Sequence, residues 1–162
     1  MTSPKFVSAN RFCIVLNTNS FAKNSSGLVK GWIWINLDDI AFPSTAWDDF
    51  PVVVVSWWLE AAISLIDDTK NVGEFRFMDG PFSFTLEKIA LNGLIVRLHR
   101  SGNTGRAILE RTITTGAAFT AILEAASSII EYCSKAGWDS KDLAELIERK
   151  SRMAQLMRNY SE

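Results

Sequence analysis

The segment WDDFPVVVVSWWLEAAISLID, residues 47–67, joins two acids and a proline to four consecutive valines and two adjacent tryptophans. A buried strand, a membrane span and a helix are the structures to be weighed for it. On a helix, its polar residues form one stripe at spacings of four, four and three: Ser56, Glu60, Ser64 and Asp67. A strand gives no clean alternation, and strands usually stop at about 4–8 residues. We therefore predict a helix over residues 51–67 that is buried on most of its circumference.

The residues just before this segment indicate where the helix begins. Pro51 suits a first helical turn, where its missing N–H leaves no partner unpaired. Asp48 and Asp49 are placed to cap the helix and to complement its dipole. Glu60 and the flanking acids interrupt the apolar run before it reaches the roughly 20 residues of a membrane span. With no signal peptide in MTSPKFVSANRFCIVLNTNS, we expect a cytoplasmic protein with no membrane contact.

Two strands are predicted before the helix. The first, FVSANRFCIVLN, becomes apolar toward its end and is followed by the turn-forming sequence TNSFAKNSSG. The second, LVKGWIWINLDDI, has apolar residues on both faces, with Trp32 and Trp34 opposite Ile33 and Ile35. Such a strand is typical of the centre of a sheet that is covered on both sides.

Four further strands are predicted after the helix, because turn signals recur at even spacing between short alternating segments. The turns are NVG, MDGP, LNG and SGNTG, and the segments are EFRF, FSFTLEKIA, LIVRLHR and RAILERTIT. Asp79-Gly80 and Asn92-Gly93 are favourable hairpin turns. The pattern predicts an antiparallel meander.

The last third of the chain has helical periodicity. Thr114 or Thr115 is placed to cap GAAFTAILEAASSIIEYCSKAG, which Gly137 ends. Asp139 or Ser140 is placed to cap KDLAELIERKSRMAQLMRNY. The residues of this last helix predicted to face inward are Leu143, Leu146, Ile147, Met153 and Leu156. The order ββ-α-ββββ-αα predicts a single α+β domain over residues 1–162, with an antiparallel sheet of about six strands and three helices packed on it.

The sequence offers few groups from which a catalytic or metal site could be built. Its single histidine, His99, is predicted to share the polar face of a strand with Arg97. This placement favours a histidine that faces solvent. Cys13 and Cys133 are far apart and predicted to be buried free thiols of a reducing compartment. Phosphate-binding loops, nucleophile elbows and zinc-protease motifs are absent from the sequence. A net charge of −1 argues against nucleic-acid binding, and we expect no cofactor.

Carboxylates are the remaining side chains from which a catalytic or metal site could be built. Three adjacent pairs lie around the predicted helix: Asp38-Asp39, Asp48-Asp49 and Asp67-Asp68. A paired-carboxylate hydrolase or an oxygen-ligand metal site is one interpretation of them. The structural interpretation is favoured, because each pair lies at the end of an element, where turns and caps recruit aspartate.

A family resemblance is carried by FPSTAWDDFPVVVVSWWLEAAISLI together with the later EFRFMDGPFSFTLEK, within residues 42–88. These segments resemble small bacterial immunity proteins of contact-dependent growth inhibition and related polymorphic toxin systems. Those proteins share a strand, a W-x-D-F-type helix start, a W-L-containing helix and an F-x-D-G-P strand turn. The resemblance implies an inhibitor that binds the C-terminal domain of a cognate toxin, often a nuclease, and blocks its active site without turnover or cofactor.

The predicted docking surface comes from the helix geometry alone. Trp57 and Val53 lie at the border of the polar stripe, and a large aromatic residue beside acids is typical of a binding hot spot. A tryptophan at the edge of the core is the alternative interpretation. The predicted partner-binding residues are Asp48, Asp49, Val53, Trp57, Glu60, Ser64, Asp67 and Asp68.

Two other functions stay open beside the immunity protein, which we expect to be a monomer or weak homodimer without enzymatic activity. A carboxylate-based enzyme, with or without a divalent cation, requires Asp48, Asp49 or Asp67 to face one cleft. A self-associating interaction module places Trp57 and Val53 in a homodimer patch.

Overall fold

The computed structural model describes residues 11–89, 92–100 and 106–160, which form eight strands and three helices. In chain order these are β1 (Phe12–Lys23), β2 (Val29–Leu37), β3 (Ile40–Phe42), β4 (Asp48–Asp49), α1 (Pro51–Ile66), β5 (Val72–Arg76), β6 (Phe82–Ile89), β7 (Gly93–Arg100), β8 (Leu109–Thr114), α2 (Thr115–Lys135) and α3 (Lys141–Tyr160). The predicted α+β class and the helix beginning at Pro51 are confirmed. The predicted start of the first strand, FVSAN, and the SGNTG turn lie outside the described residues.

The strands form two antiparallel sheets of four strands each. In the first sheet, β2 pairs with β1 on one side and with β3 and β4 on the other. The second sheet is the predicted meander, β5-β6-β7-β8. The prediction of one sheet of about six strands was therefore wrong. β3 and β4, only three and two residues long, occupy an edge of β2 and are too short to show periodicity in the sequence.

β2 lies inside its sheet as predicted, but only one of its faces is covered. Ile33, Ile35 and Leu37 are completely buried, while Trp32 on the opposite face is 39% exposed. Trp34 shares that open face and donates its Nε1–H to Asn36 Oδ1 at 3.3 Å. The prediction that β2 is covered on both sides was wrong, because Trp32 on its outer face is exposed and Trp34 beside it is only partly buried.

α1 is buried along most of its surface, and eleven of its sixteen residues are buried. It packs against α2, α3 and β5. Trp58 fixes it to the second sheet by donating its Nε1–H to the Arg76 carbonyl at 2.8 Å. The Trp58 ring also lies edge-on to Phe77 and Phe84, each 5.2 Å away between ring centroids. Aromatic packing and one hydrogen bond thus set the position of the helix.

The start of α1 differs from the prediction in one respect. Phe50 is the N-cap residue, and no side chain caps the helix. Asp49 instead accepts the Phe50 N–H at 2.8 Å. A capping side chain belongs to the N-cap residue and accepts an N–H of the first helical turn, and Asp49 lies one residue before the N-cap. The capping role predicted for Asp48 and Asp49 was therefore wrong, whereas Pro51 does occupy the first turn.

The sequence left two candidate caps for each of the last two helices, Thr114 or Thr115 for α2 and Asp139 or Ser140 for α3, and the structure shows which residue caps each helix. Thr114 Oγ1 accepts the Ala117 N–H at 3.1 Å, and Ser140 Oγ accepts the Leu143 N–H at 3.1 Å. Gly137 follows α2 with a φ of +71°, as expected for a residue that ends a helix. The inward orientation predicted for Ile147 was wrong, since its side chain is 46% exposed.

The two cysteines differ in environment. Cys133 on α2 is buried, and burial raises the pKa of its thiol. Cys13 on β1 is exposed, so the prediction that it is buried was wrong. Its strand alternates, and Cys13 lies on the outer face between two residues that point inward. Of the helices in the described ranges, none has the length and apolarity that a membrane crossing requires.

Candidate functional site

Two residues of the polar stripe of α1, Glu60 and Ser64, line a groove of about 300 Å³ between α1, β5 and α3. Four α1 residues form one wall: Trp57, Glu60, Ala61 and Ser64. The other lining residues are Lys70, Gly73, Glu74 and Arg149. We call this feature the α1 groove. It brings together three of the eight predicted partner-binding residues, namely Trp57, Glu60 and Ser64.

Trp57 is the large apolar side chain of the α1 groove and is 40% exposed. Its neighbour Trp58 is completely buried. Successive residues of a helix point about 100° apart, so two adjacent tryptophans serve different surfaces. Trp58 belongs to the core, and Trp57 presents an indole face at the edge of the groove.

Arg149 of α3 reaches across the α1 groove and contacts two residues of α1. Its Nε lies 3.2 Å from Glu60 Oε2, and its Nη1 donates to Ser56 Oγ at 2.7 Å. Ser56 is only 3% exposed, so the guanidinium is fixed at its inner end. The Glu60 end is open to solvent, where such an ion pair contributes at most about 1 kcal/mol to stability. The arrangement therefore orients Arg149 and Glu60 more than it stabilises the fold.

Gly73 forms part of the floor of the groove, where β5 lies close to α1. A Cβ atom at this position would lie 3.1 Å from Phe75 Cε1 and 3.3 Å from Leu65 Cδ1. Both distances are tight for carbon contacts, so a side chain here requires its neighbours to move. The glycine thus permits the close approach of strand and helix beneath the groove.

The charges of the α1 groove are mixed. Lys70 and Arg149 are opposed by Glu60 and Glu74. The predicted partner-binding aspartates, Asp48, Asp49, Asp67 and Asp68, do not line this groove. A surface of mixed charge discriminates between partners by the arrangement of its charges and not by its net sign.

Two of the three aspartate pairs, Asp48-Asp49 and Asp67-Asp68, lie at opposite ends of α1. Asp48 and Asp49 precede the helix, and Asp67 and Asp68 follow it, which separates them by about 25 Å at 1.5 Å per residue. Within residues 11–89, 92–100 and 106–160, no group of three or more His, Cys, Asp or Glu side chains could hold a metal ion. The cleft required by the carboxylate-based interpretation is therefore not formed by these pairs.

Asp49 has a structural environment. Its carboxylate is completely buried and accepts the Trp47 Nε1–H at 2.9 Å, the Phe50 N–H at 2.8 Å and the Asp79 N–H at 3.1 Å. Burial raises the pKa of Asp49 above its ordinary value of 3.8, while these hydrogen bonds oppose the shift. Asp49 therefore ties the start of α1 to the turn at Asp79.

Substituting Asp49 by alanine is expected to lower the free energy of unfolding by about 2 kcal/mol at pH 7, because three donors lose their acceptor. A raised folded-state pKa means that the contribution of Asp49 is fully present below pH 3.8 and decreases as the pH rises through the folded-state pKa. The deficit of the variant should therefore grow as the pH is lowered toward 3.8. Urea unfolding from pH 3.5 to 7 measures it. The control is Asp48→Ala, expected within about 0.5 kcal/mol of the parent.

The other predicted binding residues have local partners. Asp48 lies 3.2 Å from Lys30 Nζ, and Asp68 forms an ion pair with Lys88. Asp67 follows the last turn of α1 and accepts from the Thr69 hydroxyl and N–H, which lowers the pKa of Asp67. Val53 is partly buried one turn before Trp57, outside the groove lining. None of these four lines the α1 groove.

Five residues that line the α1 groove were not predicted from the sequence: Ala61, Lys70, Gly73, Glu74 and Arg149. Arg149 is the one of these that makes side-chain contacts across the groove to α1. Arg149 was not among the residues of the last helix that were predicted to face inward. A signal was present, since Arg149 lies three residues after Leu146 and four before Met153, both of which are completely buried. This spacing places Arg149 beside the apolar stripe of α3.

Comparisons with family models, curated proteins and solved structures gave no match.

Proposed function

We propose that this protein is an immunity protein that binds the C-terminal domain of a cognate bacterial toxin in the cytoplasm and neutralises it by stoichiometric blocking. The α1 groove is the surface that we assign to the partner. The observation that carries the proposal is Trp57, an exposed indole held beside the Glu60–Arg149 ion pair. The resemblance of residues 42–88 to immunity proteins supplies the class of partner.

The composition of the α1 groove supports a protein partner. Tryptophan and arginine are among the residue types enriched at interface hot spots, and one of each lines the groove. Arg149 is already held by Ser56 and Glu60, so docking costs little of its side-chain entropy. An anchor beside a fixed charge pair is suited to tight, selective binding.

The apolar and the charged side chains of the α1 groove have different roles in binding. The Trp57 indole, once desolvated by the partner, mainly sets the dissociation rate of the complex, because its buried contacts must be broken before the partner can leave. The exposed charges, Lys70 and Glu74, act on the rate of encounter and on the choice of partner. No group in this scheme is chemically altered, which matches an inhibitor that acts one to one.

The test uses the toxin domain encoded beside the gene for this chain. Expression of that domain alone should arrest growth, and co-expression of the chain should restore it. With purified proteins, toxin activity should fall linearly and reach zero at one equivalent of this protein. Sedimentation should detect a complex of one chain with one toxin domain.

Two results would contradict the proposal in different ways. Absence of both rescue and complex would exclude the toxin domain as the partner. Complete inhibition far below one equivalent would show turnover and thereby favour an enzyme that modifies the toxin. The same sedimentation runs on the free chain test whether it is a monomer or a weak homodimer.

A further inference from the structure

A second groove runs between β1 and α2 and is larger than the α1 groove. Its two adjoining parts have volumes of about 520 Å³ and about 310 Å³ and share Ser128. The groove extends from Phe12 and Gly116 at one end to Thr18 and Lys135 at the other. We call it the β1 groove. Its length is that of seven strand residues, or about 20 Å.

β1 is an edge strand, and its backbone pairs only with β2 among the described residues. The Ile33 N–H of β2 donates to the Trp47 carbonyl at 2.9 Å, away from β1. Leu16, which lies opposite Ile33, therefore directs its own N–H and carbonyl away from β2. By alternation, Ile14 and Phe12 do the same, and all three line the β1 groove. The groove thus presents a row of backbone donors and acceptors that no described residue pairs with.

α2 packs beside β1, but the edge of β1 along the groove lacks the charges, prolines and early bulges that usually protect an exposed strand. Its segment FCIVL, residues 12–16, contains no charge and no proline, and the irregularity in its pairing begins only after Asn17. Natural proteins block such edges with charges, prolines or bulges, because an unprotected edge pairs with another chain. Ile14 and Leu16 are only partly buried although they point to the inner face of the sheet. Another chain would complete their burial.

The wall opposite β1 consists of small residues and one acid. Gly116, Ala117, Thr120 and Ala121 leave space beside the strand, and Glu124 follows one turn later. Glu124 forms no ion pair among the described residues. No lysine, arginine or histidine occurs in residues 12–16 or 116–128. Lys135 is the one cation among the described lining residues, and it pairs with Glu131 at 3.0 Å at the other end of the groove. We therefore expect a cation that meets Glu124 to come from the occupant.

We propose that the β1 groove binds an extended segment of another protein, which adds a strand to the open edge of β1. Backbone hydrogen bonds to Phe12, Ile14 and Leu16 give the affinity, and alternate apolar side chains of the segment cover the inner face. A lysine or arginine of the segment lies opposite Glu124. A second copy of this chain is the weaker occupant, because residues 12–18 of its own β1, the segment that would pair along the groove, contain no cation.

The test selects peptides and does not depend on the toxin. A phage-displayed library of random nonapeptides is enriched on the full-length protein, and selected sequences are synthesised with a fluorescent label. We expect enriched sequences to share apolar residues at alternate positions and one lysine or arginine. Fluorescence polarisation gives the Kd of each peptide.

Ile14→Pro removes the edge-facing N–H, and the β1–β2 ladder keeps its hydrogen bonds because that N–H does not point to β2. We expect it to raise the peptide Kd about tenfold, with unchanged binding by the matched control Ile14→Val. Glu124→Lys, on the exposed side of a helix, should weaken the same peptide about fivefold. Replacing the cation of the peptide by glutamate should restore binding to this variant.

Several results would overturn the proposal. They are an enrichment without the alternating pattern, no enrichment at all, and equal affinities of the Ile14→Pro and Ile14→Val proteins for the peptide. Slow hydrogen exchange of the Phe12, Ile14 and Leu16 amides in the free monomer would show that the chain already covers its own edge. A stable dimer that slows exchange at these amides would assign the edge to a second copy.

Discussion

Replacing Trp58 by alanine is expected to lower the free energy of unfolding by about 4 kcal/mol. The indole is completely buried, and its removal leaves a cavity between α1 and the second sheet. Its edge-on contacts with Phe77 and Phe84, at 5.2 Å between centroids, are lost at the same time. The Arg76 carbonyl also loses the hydrogen bond that it accepts at 2.8 Å. Urea unfolding followed by far-UV circular dichroism measures the change.

Two further variants keep this prediction testable if the alanine variant does not fold. Trp58→Phe retains an aromatic ring and loses the hydrogen bond to Arg76, so we expect a loss of about 2 kcal/mol. Trp57→Ala, one residue earlier and partly exposed, should cost less than about 1 kcal/mol. Similar losses for the two alanine variants would contradict the placement of Trp58 in the core and of Trp57 at the surface.

The contrast between these two tryptophans shows what the sequence can predict. A polar stripe at helical spacing is a local property, and it correctly placed Glu60 and Ser64 away from the core. The stripe therefore located Trp57, Glu60 and Ser64 on one wall before any tertiary contact was known. It was wrong for Ser56, which is only 3% exposed and accepts a hydrogen bond from Arg149. The cap at Thr114 and the end of α2 at Gly137 are also local, and both were predicted.

Properties that depend on distant segments were not predictable. β4 is a strand of two residues that exists only because Gly31 and Trp32 of β2 lie beside it. A strand this short shows no periodicity in the sequence, so the division of the strands into two sheets could not be predicted from the sequence. The same holds for the open outer face of β2, since its apolar composition resembles that of a covered strand.

The aspartate pairs illustrate the limit for the candidate site. Asp48 and Asp49 are adjacent and chemically identical in the sequence. In the fold, Asp48 is exposed beside Lys30, whereas Asp49 is buried and accepts hydrogen bonds from Trp47, Phe50 and Asp79. One of these donors, the Asp79 N–H, comes from a turn thirty residues away in the sequence. The groove residue Arg149 is more remote still, 93 residues from its partner Ser56.

The largest expected effect on binding is that of Trp57→Ala. If the α1 groove docks the toxin domain, this substitution should raise the Kd of the complex about 100-fold, as for other tryptophan anchors at interfaces. Most of the change should lie in the dissociation rate, because the lost contact is a desolvated anchor and not a steering charge. Surface plasmon resonance with the immobilised toxin domain separates the two rates.

Trp32→Ala is the matched control for this measurement. Trp32 is 39% exposed and Trp57 is 40% exposed, but Trp32 lies on the outer face of β2, away from the α1 groove. Loss of affinity on Trp57→Ala, with parental affinity on Trp32→Ala, would assign docking to the groove. The reverse result would move the interface to the open face of the first sheet, where Trp32 and Trp34 lie together. Equal, small effects would exclude both surfaces as the anchor, because an interface centred on either indole cannot lose it without a faster dissociation.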